Sequence, residues 1–125
     1  VIILDTHGEL AALYSLCTVA FVGGSLVPIG GHNILEPAVY ARPVIFGPHM
    51  QHFPELAALL CAAGGAVQVQ NEEELYERLA DILAHPESGS AIGQRALQTL
   101  AANRGALERT LQAVTALLTQ QPMRL

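Results

Sequence analysis

The stretch from Gly23 to Pro37 reads Gly-Gly-Ser-Leu-Val-Pro-Ile-Gly-Gly-His-Asn-Ile-Leu-Glu-Pro. The apolar run Val19–Gly23 that leads into it has the pattern of a buried strand, and Ile34–Ala41 has the pattern of a helix. The two glycine pairs between them let backbone N–H groups come close to an anion, because glycine has no Cβ to hold a ligand away. The stretch therefore predicts a strand–loop–helix unit with an anion site at the helix N-terminus, where the helix dipole adds positive charge.

Glu36 lies about one turn further into that predicted helix. Because a carboxylate repels phosphate, its natural partner beside an anion site is a pair of sugar hydroxyls. The combination predicts a nucleotide site, with phosphate on the glycines and ribose on Glu36. The alternative is structural, since Asn33-x-x-Glu36 is also the pattern of a capping box. Pro37 weakens this alternative, because a proline at the fourth helical position removes the first intrahelical hydrogen bond.

Short apolar runs alternate with helical patterns along the first half of the chain. The other strand patterns are Val1–Leu4, Pro43–Phe46 and Ala66–Val69, and the other helical patterns are Gly8–Cys17 and Phe53–Ala63. This alternation predicts an α/β fold, a Rossmann-like parallel sheet with helices on both faces. Ligands of such sheets bind beyond the carboxyl ends of the strands, which is where the glycine stretch and the Gly47-Pro48-His49 loop are expected.

The second half of the chain is predicted to be helical. One helix starts at Asn71 with a capping pattern and ends at Pro86, and Gly64-Gly65 is expected to cap the helix before it. Ser90–Ala102 and Ala106–Leu118 follow, separated by a predicted break at Asn103-Arg104-Gly105.

Composition narrows the class of protein. The chain has 125 residues, 51% of them hydrophobic, and a net charge of −5. This allows one domain with a substantial core and gives no basic stripe for nucleic acid. Cys17 and Cys61 fall in apolar helical patterns, which is typical of free thiols in a reducing compartment. The start at Val1, in mid-strand and without Met, favours a piece of a longer protein.

Several residues near the predicted site could carry chemistry. His32 could donate to phosphate or cap the helix, and His49 could contact a ligand or pack within its loop. His32, His49 and His52 lack Cys or carboxylate partners at metal-site spacing, so no metal is expected. Ser25 lacks the surroundings of a nucleophile, and its hydroxyl is expected to help bind an anion.

Five motifs in order give the chain a family resemblance. They are Asp5-Thr-His-Gly-Glu-Leu, Phe21-Val-Gly-Gly-Ser-Leu, Gly30-Gly-His-Asn-Ile-Leu-Glu-Pro, Pro43-Val-Ile-Phe-Gly-Pro-His and Asn103-Arg-Gly-Ala-Leu-Glu-Arg-Thr-Leu. Together they resemble the carboxy-terminal half of the 3-deoxy-D-manno-octulosonic acid (Kdo) transferases of lipopolysaccharide biosynthesis. The resemblance implies a GT-B glycosyltransferase, with residues 1–125 as the CMP-Kdo donor-binding domain and the amino-terminal acceptor domain absent.

The resemblance also implies roles for individual residues. Gly30, Gly31 and Asn33 would hold the CMP phosphate, Glu36 the ribose hydroxyls, and Ser25 and His49 would line the crevice. The family transfers Kdo to a lipid A precursor at the cytoplasmic face of the bacterial inner membrane, with no cofactor. The catalytic base and the membrane anchor would belong to the missing half, so this fragment is expected to be soluble and inactive alone.

One departure from the family pattern concerns phosphate binding. Ile29 stands where members often carry a basic residue just before the second glycine pair. Two rival interpretations remain beside the Kdo transferase, namely the donor domain of a GT-B enzyme using a UDP-sugar and a stand-alone nucleotide-binding module.

Overall fold

A three-stranded parallel sheet forms the centre of the protein. The computed structural model describes residues 1–120, with the backbone alone for residues 106, 107, 110, 111 and 114–120. The strands are β1 (Ala20–Phe21), β2 (Val44–Phe46) and β3 (Val67–Gln68), in the order β1-β2-β3. Ala20 pairs with Val44 and Ile45 pairs with Val67. The central strand β2 is buried on both faces, as its uninterrupted apolar sequence requires.

Helices cover both faces of this sheet. They are α1 (Leu10–Leu13), continued by a 3₁₀ turn at Tyr14–Leu16, then α2 (Leu35–Val39), α3 (Pro54–Ala62), α4 (Glu72–Ala84) and α5 (Pro86–Gln120). Alternate side chains of a strand point to opposite faces. Phe46 accordingly packs in one cluster with Ile34 and with Leu60 of α3, whereas Ile45 packs in another with Ile82 of α4. The α/β fold with helices on both faces is therefore confirmed.

The predicted strand at Val1–Leu4 is wrong. These four residues form no strand, and their side chains are exposed. A strand forms only where a neighbour offers N–H and C=O groups to pair with, and no described strand lies beside this segment. The helix predicted at Gly8–Cys17 is likewise shorter, consisting of α1 and the 3₁₀ turn.

The predicted break at Asn103-Arg104-Gly105 is also wrong, because α5 runs without interruption from Pro86 to Gln120. The amide group of Asn103 donates to the carbonyl oxygen of Thr99 at 2.8 Å, so this side chain finds its partner inside the helix. A glycine such as Gly105 lowers the stability of a helix by only about 1 kcal/mol relative to alanine, and the hydrogen bonds of the neighbouring helical turns offset this loss. Among the described residues, no helix combines the length and the apolar character that crossing a membrane demands.

The helix boundaries around α3 and α4 follow the sequence signals. The side chain of Asn71 accepts a hydrogen bond from the N–H of Glu74 at 2.9 Å and caps α4 as predicted. Gly64, with φ of 67°, ends α3, and the N–H of Gly65 returns to the carbonyl of Leu60 at 2.8 Å. Pro86 becomes the first residue of α5, where its missing N–H removes no intrahelical bond.

The two cysteines are free thiols, as predicted. Both lie at intermediate depth, and burial raises the pKa of each. The nearby Arg42 guanidinium partly opposes this effect at Cys17.

Candidate functional site

The second glycine pair lies in a loop that only glycine can complete. Gly30 and Gly31 have φ values of 108° and 75°, in the region that side chains with a Cβ avoid. Both residues are buried. A Cβ on Gly31 would collide with the sulfur of Met50, which follows β2. The loop after β1 and the loop after β2 are thus packed together at the carboxyl ends of their strands.

Hydrogen bonds within this loop decide which N–H groups remain for a ligand. The N–H of Gly31 donates to the carbonyl of Gly24 at 2.9 Å. In the described part of the chain, no protein acceptor takes the N–H of Gly30, His32 or Asn33. The prediction that Gly31 itself donates to phosphate therefore needs correction, because its N–H is committed to the loop. The free donors next to Gly31 include those of Gly30, His32 and Asn33.

The capping box between Asn33 and Glu36 does not form. Ile34 is the N-cap of α2, and the side-chain oxygen of Asn33 accepts from the N–H of Leu35 at 2.9 Å. Glu36 is the second helical residue and lies half-buried. Among the described residues, its carboxylate has no hydrogen-bond or ion-pair partner. The structural alternative thus accounts for Asn33 in part and leaves Glu36 without a role in the cap.

The helix after the loop is shorter than predicted. The pattern predicts Ile34–Ala41, but α2 has five residues, Leu35–Val39. So short a helix has a small macrodipole, because few peptide dipoles are aligned. Individual N–H groups, rather than the dipole, must therefore stabilise an anion here.

A cleft of about 360 Å³ opens beside the site along β1. Gly23, His32 and Asn33 line one part of it, and Tyr14 of the 3₁₀ turn lines another. Burial raises the pKa of the Tyr14 phenol, and the nearby Glu36 carboxylate raises it further. Sequence reasoning missed Tyr14, since its place in an apolar helical pattern gives no sign of which side chains it will meet.

Two of the predicted histidines, His32 and His49, lie in or next to the glycine loop. His32 is exposed, and its ring lies against Gly24. His49 is half-buried, and its N–H donates to the carbonyl of Ser25 at 2.9 Å, so its backbone serves loop packing. Across the described residues, no group of three or more His, Cys, Asp or Glu side chains is placed to hold a metal ion.

Ser25 is not available to a ligand, which corrects its predicted place in the crevice. The residue is fully buried. Its hydroxyl donates to the carbonyl of Val22 at 2.5 Å and accepts from the N–H of Gly47 at 2.8 Å. Ser25 therefore ties the end of β1 to the loop after β2.

Replacing Ser25 with alanine should lower the free energy of unfolding by about 1–3 kcal/mol, because the buried N–H of Gly47 loses its acceptor. Urea unfolding followed by circular dichroism measures this change. Ser15→Ala is the control, since it removes only an exposed bond from the Ser15 hydroxyl to the Ala12 carbonyl. Equal stability of the two variants would contradict the structural role of Ser25.

No protein-family model matches the chain, but several known proteins are similar to it in sequence, and those described below share one name. The chain is 42% identical over 89% of its length to the 3-deoxy-D-manno-octulosonic acid transferase of Haemophilus influenzae, covering 26% of that protein. It is 36% identical over 91% of its length to the enzyme of the same name from Bordetella pertussis, covering 27% of it. The chain thus spans about a quarter of the length of these relatives.

A solved structure agrees with the sequence relatives. It is the C-terminal CMP-Kdo binding domain of WaaA from Acinetobacter baumannii, which matches 78% of this chain with a TM-score of 0.72 and 35% identity, over 51% of that chain. Similarity in sequence and similarity in fold therefore each extend over more than three quarters of this chain. Over the residues it shares with these proteins, the chain belongs to the family of the 3-deoxy-D-manno-octulosonic acid transferases.

Proposed function

We propose that this chain binds CMP-Kdo, the sugar donor of a Kdo transferase. One observation carries the proposal: free N–H donors and an unpartnered carboxylate lie within one short segment. The donors are the N–H groups of Gly30, His32 and Asn33, and the carboxylate is that of Glu36. The fold and family supply the donor's identity, since the solved relative is described as a CMP-Kdo binding domain.

In this proposal, phosphate and ribose are bound by different groups. The three N–H donors bind the phosphate oxygens of CMP, and Ile29 in front of them contributes no charge. Glu36 accepts hydrogen bonds from the two ribose hydroxyls, which suits a carboxylate that has no protein partner among the described residues. Bonds from ribose hydroxyls to an ionised acceptor are stronger than bonds between neutral groups.

A whole enzyme that contains this domain would transfer Kdo to a lipid A precursor at the cytoplasmic face of the inner membrane. A base outside this chain takes the proton of an acceptor hydroxyl, whose oxygen then attacks the anomeric carbon of Kdo. The bond from that carbon to the CMP phosphate breaks, and the N–H donors stabilise the negative charge left on the phosphate. The isolated chain binds donor and is not expected to catalyse transfer.

Titration of the ¹⁵N-labelled chain with CMP tests the proposal. We expect amide shifts at Gly30, His32, Asn33 and Glu36, with UMP binding about tenfold more weakly for want of one base hydrogen bond. Equal affinity for UMP would instead favour a GT-B enzyme that uses a UDP-sugar. No shift with either nucleotide at millimolar concentration would contradict a self-sufficient site in this chain.

A further inference from the structure

His52, in the turn after β2, binds the carbonyl groups of both loop glycines. Its backbone N–H donates to the carbonyl of Gly30 at 3.0 Å. Its ring nitrogen Nδ1 lies 3.3 Å from the carbonyl oxygen of Gly31. The same ring covers Gly30 so closely that a Cβ there would lie 2.6 Å from it. No other described residue holds two consecutive peptide groups of the loop.

These contacts also set the direction of the N–H groups. In a planar trans peptide, the C=O and the N–H point in opposite directions. Since both carbonyls face His52, the N–H groups of Gly31 and His32 face away from it. The bond from Gly31 to the Gly24 carbonyl, at 2.9 Å, agrees with this direction. The free N–H of His32 must therefore point to the opposite side of the loop from His52.

The loop needs such an anchor because its own backbone does not select one orientation. Glycine adopts many more φ and ψ combinations than other residues, so Gly31 leaves the peptide group that follows it several possible orientations. The carbonyl of Gly31 and the N–H of His32 belong to one peptide group. If the Gly31 carbonyl loses its partner, that group is free to rotate, and the His32 N–H then leaves the anion site.

We infer that His52 is a positioning residue of the nucleotide site, orienting the His32 N–H toward phosphate through the Gly31 carbonyl. This inference rests on the proposed function. A carbonyl oxygen only accepts hydrogen bonds, so Nδ1 of His52 must carry a proton. The residue itself does not touch the phosphate.

Two variants separate the hydrogen bond from the packing of the ring. His52→Asn keeps an N–H donor on Cγ, the position at which Nδ1 is attached in histidine. His52→Phe keeps a ring over Gly30 and has no donor. We expect the dissociation constant for CMP to rise about tenfold in His52→Phe and to stay within about twofold of wild type in His52→Asn. His85→Phe is the matched control, since His85 bonds Asp81 at the end of α4.

The reverse ranking, with His52→Phe binding like wild type and His52→Asn binding weakly, would overturn the inference in favour of simple packing. Equal binding by all variants would overturn it as well. Thermal unfolding of each variant shows whether a loss of affinity for CMP is caused by unfolding of the domain. Wild-type affinity in His52→Asn is a result that a purely packing role of the ring does not produce.

A second readout keeps the inference testable if wild type fails to bind CMP, which would count against the proposed function alone. Long-range ¹H–¹⁵N correlation of the His52 ring is expected to show a proton on Nδ1. Amide exchange of Gly31, whose N–H bonds the Gly24 carbonyl, should be faster in His52→Phe than in wild type. A bare Nδ1, or unchanged exchange, would refute the anchoring of the loop by His52.

Discussion

Glu36→Gln is expected to weaken CMP binding by about 10- to 100-fold while the domain stays folded. In the complex the carboxylate would accept hydrogen bonds from two ribose hydroxyls. A hydrogen bond to a charged group contributes about 1.5–3 kcal/mol to the free energy of binding. In the unliganded protein the same carboxylate has no described partner, so its loss costs the fold little. Glu36→Ala should behave similarly, with a somewhat larger loss of affinity.

Isothermal titration calorimetry measures the affinity of each variant for CMP, and thermal unfolding measures its stability. Glu55→Gln is the matched control, because Glu55 stands in the first turn of α3 as Glu36 stands in the first turn of α2. The control should bind CMP like wild type. Unfolding of Glu36→Gln at a clearly lower temperature, with affinity lost in proportion, would instead assign Glu36 to the stability of α2.

Gly93→Ala is expected to destabilise the protein by about 3 kcal/mol or more, the upper range for overpacking. A Cβ on Gly93 would overlap the carbonyl oxygen of Ala41 and lie 2.5 Å from its carbonyl carbon. Backbone atoms cannot rotate aside as a flexible side chain can, so α5 must move away from the end of α2. Ala41 lies two residues after the end of α2, and its N–H bonds the Ala38 carbonyl at 3.0 Å, so the shift is transmitted to the segment that carries Glu36.

The matched control is Gly105→Ala in the same helix. Among the described side chains, a Cβ there meets only the tip of Arg109, at 3.4 Å. This control should stabilise the protein by about 0.5–1 kcal/mol, because alanine is the better helix former. Urea unfolding of both variants gives the comparison. If Gly93→Ala is as stable as Gly105→Ala, the close approach of α5 to Ala41 is not required for folding.

Local patterns predicted where two of the strands and one helix cap lie along the chain. The strand patterns at Pro43–Phe46 and Ala66–Val69 contain β2 and β3, and Asn71 caps α4 as expected. Val1–Leu4 has the same apolar character as these strands and forms none. The difference is a pairing partner, which an apolar run does not encode.

The candidate site shows the same division. The sequence by itself determined that a glycine loop at the end of β1 leads into a helix bearing Glu36. The positions of the glycines, the spacing of the apolar residues and the distance to Glu36 can all be read within one short segment. Three contacts were decided only by the tertiary structure. The hydroxyl of Ser25 is buried and accepts from the N–H of Gly47, and the N–H of Gly31 donates to the carbonyl of Gly24. His52 bonds the carbonyl groups of both loop glycines. Two of these contacts join residues 21 or 22 positions apart. Which loops meet at the end of a parallel sheet depends on strand order and register, and a pattern within one loop carries no record of the other.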